Sequence, residues 1–113
     1  MAPTATDDAY SMVRTAILAR RPFVAVYDGK ERFLSPHVLG TNKKGWPRVL
    51  CYQYGGWSNS GLAAAGSPEN WRCIAIEKLR DIRLLDDSWQ TAPNHSRQQN
   101  CIEHVDLDVE NLP

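Results

Sequence analysis

The chain has 113 residues, enough for one domain with a sizeable core. Thirteen Lys and Arg balance thirteen Asp and Glu, so bulk charge gives no sign of a polyanion-binding protein. No stretch approaches the ~20 apolar residues that span a bilayer, and three sparse cysteines do not form a disulfide framework, so a reduced, cytoplasmic protein away from membranes is expected.

Residues 1–8 read as a flexible lead-in. Thr6, Asp7 or Asp8 caps a helix running to about Arg20, with Tyr10, Val13 and Ile17 on one face, and Pro22 stops it. Phe23 to Tyr27 is a strand, and Asp28-Gly29 is a hairpin signal because both turn positions take positive φ. The return strand runs from Lys30 to about Leu39, a turn follows over Gly40 to Gly45, and a third strand runs from Arg48 to Tyr54. Tyr54 to Asn70 is a glycine-rich loop, long enough to suggest a functional lid or a linker. Trp71 to Ile76 is a strand holding Cys73, which, like Cys51, reads as a buried free thiol. A short turn over Glu77 to Arg80 leads to a last clear strand, Ile82 to Leu85. Trp89 is a candidate anchor, and Val105 to Val109 alternates with period two as an edge strand. Helix-then-hairpins order predicts a mainly β protein with one N-terminal helix, its bent antiparallel sheet curled into a partly open barrel.

Charge is unevenly spread. Residues 1–85 carry twelve Lys and Arg against seven Asp and Glu, whereas residues 86–113 carry one Arg against six acids. A basic body with an acidic C-terminal segment suggests an anionic partner or an internal mask.

The set Tyr27-Asp28-Gly29, Arg32, Pro36-His37-Val38-Leu39-Gly40, Tyr52-Gln53 and Trp71-Arg72 resembles the WYL-type domains, over about residues 9–86. The resemblance implies an SH3-like or Sm-like barrel that senses ligands, several of its relatives being thought to bind nucleic acids or other anions through a basic patch. The sequence departs from the family at two places: Pro47-Arg48-Val49 stands where the Trp-Tyr-Leu triplet that names the family should fall, and the strand that usually carries two arginines reads Arg72-Cys73-Ile74-Ala75, without the second. Residues 87–113 form an acidic tail beyond the resemblance, and the residues before the first strand are too few for a helix-turn-helix.

Arg32, His37, Gln53, Trp57, Arg72 and Lys78 are the candidate ligand-binding residues, with Lys43, Lys44 and Arg48 as peripheral cations. Arginine offers a bidentate fork to phosphate, lysine a point charge, and Trp57 a face on which a base can stack. No Ser or Cys has a legible base and no carboxylate pair forms a cleft, so a non-catalytic module is expected. No cofactor or metal is expected. His95, Cys101 and His104 lack a fourth zinc ligand at the right spacing, and Asp106, Asp108 and Glu110 read as a solvated strand face. The expected function is recognition of an anionic ligand, with single-stranded nucleic acid or a nucleotide foremost. Two alternatives are homo-oligomeric assembly through open strand edges and a small-molecule sensor whose pocket lies under the 54–70 loop.

Overall fold

A computed structural model describes residues 6–56, 62, 67, 70–91 and 101–112. Helix α1 (Thr6–Ala19) is followed by strands β1 (Phe23–Tyr27), β2 (Lys30–Thr41), β3 (Pro47–Gly56), β4 (Trp71–Ala75), β5 (Arg80–Leu84) and β6 (His104–Asp108). Every pairing is antiparallel, in the order β4-β3-β2-β1-β5, with β6 added to β2. The expected class, mainly β with one N-terminal helix and a curled antiparallel sheet, is the observed one.

The long second strand organises the sheet. Its first half, Lys30 to Leu34, pairs with β1, and its second half, Val38 to Thr41, pairs with β6. Register shifts against β3 fall at Phe33/Leu34 and Pro36/Val38. Such bulges bend a strand and raise its twist, which lets one strand serve two partners along the same edge. The hairpin between β1 and β2 has Asp28 and Gly29 both at positive φ, as the turn requires. The next turn is narrower than expected. Asn42 nucleates it, its Oδ1 accepting from the Lys44 and Trp46 amides at 3.0 Å each, so β2 extends to Thr41 and β3 begins at Pro47.

Two apolar layers lie on the two faces of the sheet. In the inner layer, Ala9, Val13, Ala16 and Ile17 of α1 meet Phe23, Leu34, Leu39, Val49, Ile74, Ile76 and Leu79. Their helical spacing forms a stripe that docks α1, which is too short to hold its shape alone. Tyr10 flanks this stripe, half-buried, and its hydroxyl donates to Asp106 Oδ2 at 2.7 Å. In the outer layer, Val38, Leu50, Tyr52, Trp71 and Ile102 cluster together.

The C-terminal segment is part of the fold. Leu107 and Val109 join the inner core, and Arg20 donates to the Val109 carbonyl at 3.2 Å. Close approach makes this docking possible. A Cβ on Gly40 would overlap the His104 carbonyl oxygen and lie 2.8 Å from Ile102 Cγ2, so only glycine lets β6 cross there. Asp108 Oδ1 caps the short 3₁₀ turn Val109–Asn111 by accepting from the Glu110 amide.

One expectation is overturned. Cys73 is not a buried free thiol. It is exposed and disulfide-bonded to Cys101, with Cα atoms 6.4 Å apart, while Cys51 is the buried free cysteine. Strand alternation explains the difference. Cys73 pairs with Leu50, whose side chain belongs to the outer layer, so its own side chain points outward, towards the segment that carries Cys101. The bond also removes Cys101 from the three potential zinc ligands in the tail, and His95 lies outside the described residues.

Candidate anion-binding site

Alternation along three neighbouring strands gathers part of the predicted set. Arg32 pairs with Ala25, an inner-layer residue, and Leu34 pairs with Gln53. Arg72 pairs with Cys51, which is also inner. Arg32, Gln53 and Arg72 therefore share the inner face, near the end of the sheet where β2 begins and β3 ends.

Tyr27 organises this mouth. Its hydroxyl accepts from the Ala75 amide at 3.2 Å, linking β1 to β4 where no ladder joins them among the described residues. Its ring lies 5.0 Å below the Arg32 guanidinium, within cation–π range. Arg32 is only 5% exposed, and its nearest carboxylate, Asp28, is half-exposed and 3.8 Å away. Among the described residues Arg32 Nε has no hydrogen-bond partner. Glu31, its chain neighbour, pairs with Arg83 instead. Gly56 lies opposite Arg32 at φ 81°, and a Cβ there would press on the Arg32 Cα at 2.7 Å.

Arg72 is half-buried, and its guanidinium donates to the Trp71 carbonyl at 3.0 Å. Burial lowers its pKa from the ordinary arginine value, the Arg32 charge lowers it further, and Tyr52 acts in the opposite sense. Two like charges are thus held close enough to oppose each other. Gln53 is fully buried between them in the strand order, with Nε2 donating to the Gly55 carbonyl at 3.1 Å.

The remaining predicted residues lie elsewhere. His37 is on the outer side of the sheet, 2% exposed, wedged against Trp71 (ring centroids 4.6 Å apart) and Trp89 (4.7 Å). Its Nδ1 lies 2.8 Å from the Ser35 carbonyl and its Nε2 3.1 Å from Thr91 Oγ1. This pins the 89–91 segment over the β2 bulge. Lys78 is exposed on the 3₁₀ turn Ile76–Lys78, past the end of β4. Lys43, Lys44 and Arg48 sit at the opposite end of the β2–β3 hairpin from Arg32, where Arg48 meets both Glu77 carboxylate oxygens at 3.0 and 3.2 Å. Trp57 lies outside the described residues, as does most of the glycine-rich loop.

Tyr27 and Asp28, the residues that hold Arg32, were legible only as a strand end and a turn. An aromatic directly before an Asp-Gly turn gives no sign that it will lie beneath an arginine from the next strand. No known family matches the chain, and neither a curated protein nor a solved structure matches it.

Proposed function

We propose that the protein is a non-catalytic, WYL-like module that binds an anionic ligand at the Arg32–Arg72 mouth, with a nucleic-acid segment or a nucleotide as the first candidate. The observation that carries this reading is two guanidiniums held on one face, one of which, Arg32, is 5% exposed with a half-exposed carboxylate at 3.8 Å and, among the described residues, no hydrogen-bond partner for its Nε. A buried cation with incomplete compensation is costly, and a phosphate that accepts from both forks would relieve that cost. Tyr27 and Gln53 flank the pair, and Arg72, the less buried of the two, is the side a ligand reaches first.

Titration of a short fluorescent single strand at several salt concentrations tests the proposal. Log affinity should fall with log salt by about 0.7 per phosphate neutralised. Arg72→Gln should weaken binding about tenfold, the scale of one charge-assisted hydrogen bond. Failure to bind at low salt, or an affinity that ignores salt, overturns it.

The second reading is assembly through a strand edge. It is favoured by β6, which among the described residues pairs with β2 alone and carries Val105 half-exposed. A mass in solution that falls on dilution supports it. The pocket expected under the 54–70 loop falls outside the described residues. No helix is long and apolar enough to cross a membrane among the described residues. The cytoplasmic setting belongs to the proposal, and there the Cys73–Cys101 bond would cycle rather than persist.

A further inference from the structure

Outside the arginine mouth, one concavity combines charge with a reactive bond. A pocket of about 280 Å³ has walls that include Asn42, Lys43, Lys44, Arg48 and Cys101. Arg48 is matched by Glu77 at 3.0 Å, so Lys43 and Lys44, both exposed, give the pocket its positive sign. Glu103 is exposed two residues beyond Cys101, but is not among these walls. The Asn42 turn holds the two lysines beside the cysteine, because its side chain accepts from the Lys44 amide, and the Glu103 amide donates to the Thr41 carbonyl at 2.7 Å. Cys101 lines the pocket and Cys73 is not among these walls, so a molecule seated there meets the bond at Cys101.

We infer that this pocket seats an anionic low-molecular-weight thiol, which opens the Cys73–Cys101 disulfide by exchange. The inference is independent of the arginine mouth. The thiolate attacks Cys101 Sγ. A bond forms between the two sulfurs, the Cys73–Cys101 bond breaks, and Cys73 leaves as a thiolate that takes a proton from water. A second small thiolate then attacks the small thiol's own sulfur in the mixed disulfide. This releases Cys101 as a thiolate and yields the small symmetric disulfide. Two small thiols are oxidised and one protein disulfide is reduced. The lysines contribute twice: they concentrate the anionic reagent, and they stabilise the negative charge spread over three sulfurs in the transition state. The consequence is structural, since opening the bond unties β4 from the segment that leads into β6.

The test compares reduction rates with 2-mercaptoethanesulfonate, 2-mercaptoethanol and cysteamine, an anion, a neutral species and a cation. Each rate is taken per thiolate and divided by the rate on a small uncharged disulfide. At low salt the anion should exceed the cation by about tenfold, the scale of two lysines in a wet pocket, and high salt should erase the difference. The Lys43→Gln/Lys44→Gln double variant should erase it too, without loss of thermal stability, because both side chains are exposed. Acid-quenched mass mapping should find the first adduct on Cys101. Equal normalised rates for the three thiols, a preference that survives the double variant, an adduct on Cys73, or three thiols that stay titratable after mild oxidation would each overturn the inference.

Discussion

Gly40→Ala isolates the close approach that docks β6. Gly40 does not have positive φ, so alanine introduces no backbone strain of that kind. Its cost comes from overlap of the new Cβ with the His104 carbonyl oxygen and from contacts at 2.8 Å to Ile102 Cγ2 and 3.0 Å to the His104 carbonyl carbon. Two of those three neighbours are backbone atoms, which cannot rotate away. Overpacking a tight site costs about 1–3 kcal/mol, and an unyielding neighbour puts this case at the upper end, about 3 kcal/mol. Displacing β6 altogether is the competing outcome. That would expose Ile102, Leu107 and Val109, each worth about 1.5–3 kcal/mol when buried, so a strained but attached strand costs less. The melting temperature should therefore fall by about 10–15 °C in a calorimetric scan. Amide exchange should accelerate first over residues 104–108. Gly45→Ala is the control, because nothing lies within 4 Å of its Cβ and only its φ of 83° is unfavourable, worth about 1 kcal/mol. If Gly40→Ala is no worse than Gly45→Ala, or leaves β6 exchange unchanged, the close-approach account is wrong.

Three further outcomes are expected. Cys101→Ser opens a loop of sequence separation 28 and should lower the unfolding free energy by about 3.5 kcal/mol in a denaturant titration without reductant, while having no effect with reductant present. His37→Ala should destabilise the fold by about 2–3 kcal/mol, since two hydrogen bonds and two tryptophan contacts are lost, yet leave oligonucleotide affinity unchanged; a selective loss of affinity would place His37 in the ligand's path. Alkaline pH should unfold the protein. Burial, followed by hydrogen bonds to Asp106 and Asp87, raises the Tyr10 and Tyr54 pKa values, so the unfolded state gives up protons that the native state keeps, and stability falls as pH rises through about 10. A pH–stability slope unchanged in the Tyr10→Phe/Tyr54→Phe double variant would refute that assignment.

The local signals in the sequence carried most of the fold. Period-two and helical spacing, with Asp28-Gly29 and Pro22 as punctuation, located α1, β1 to β5 and the start of β6 to within a few residues. Element ends were less legible. Whether β2 stops at Leu39 or continues to Thr41 depends on Asn42 capping its turn and on β6 arriving from about 65 residues away. The same long-range dependence hid the disulfide. The apolar strands around Cys51 and Cys73 suggested two buried free thiols, and only the register of β3 against β4 reveals that Cys73 faces out and Cys51 faces in.

The candidate site was legible as a list of residue types but not as a place. Basic residues were identified on several strands, yet a shared face depends on strand parity and on bulges, neither of which a single sequence declares. His37 lies five residues from Arg32 in the same strand, so alternation alone turns it to the other face, and the bulge at Pro36/Val38 then puts Val38 on that outer side as well. Parity also links the two chemistries of β4. Arg72 and Cys73 are adjacent, so one must point in when the other points out. A register slip by one residue would turn Arg72 to the outside and bury Cys73. The covalent bond from Cys73 to Cys101 excludes that slip, because its partner is on the outer side. A bond that appears only to tie down the C-terminal segment therefore also holds Arg72 on the face it shares with Arg32.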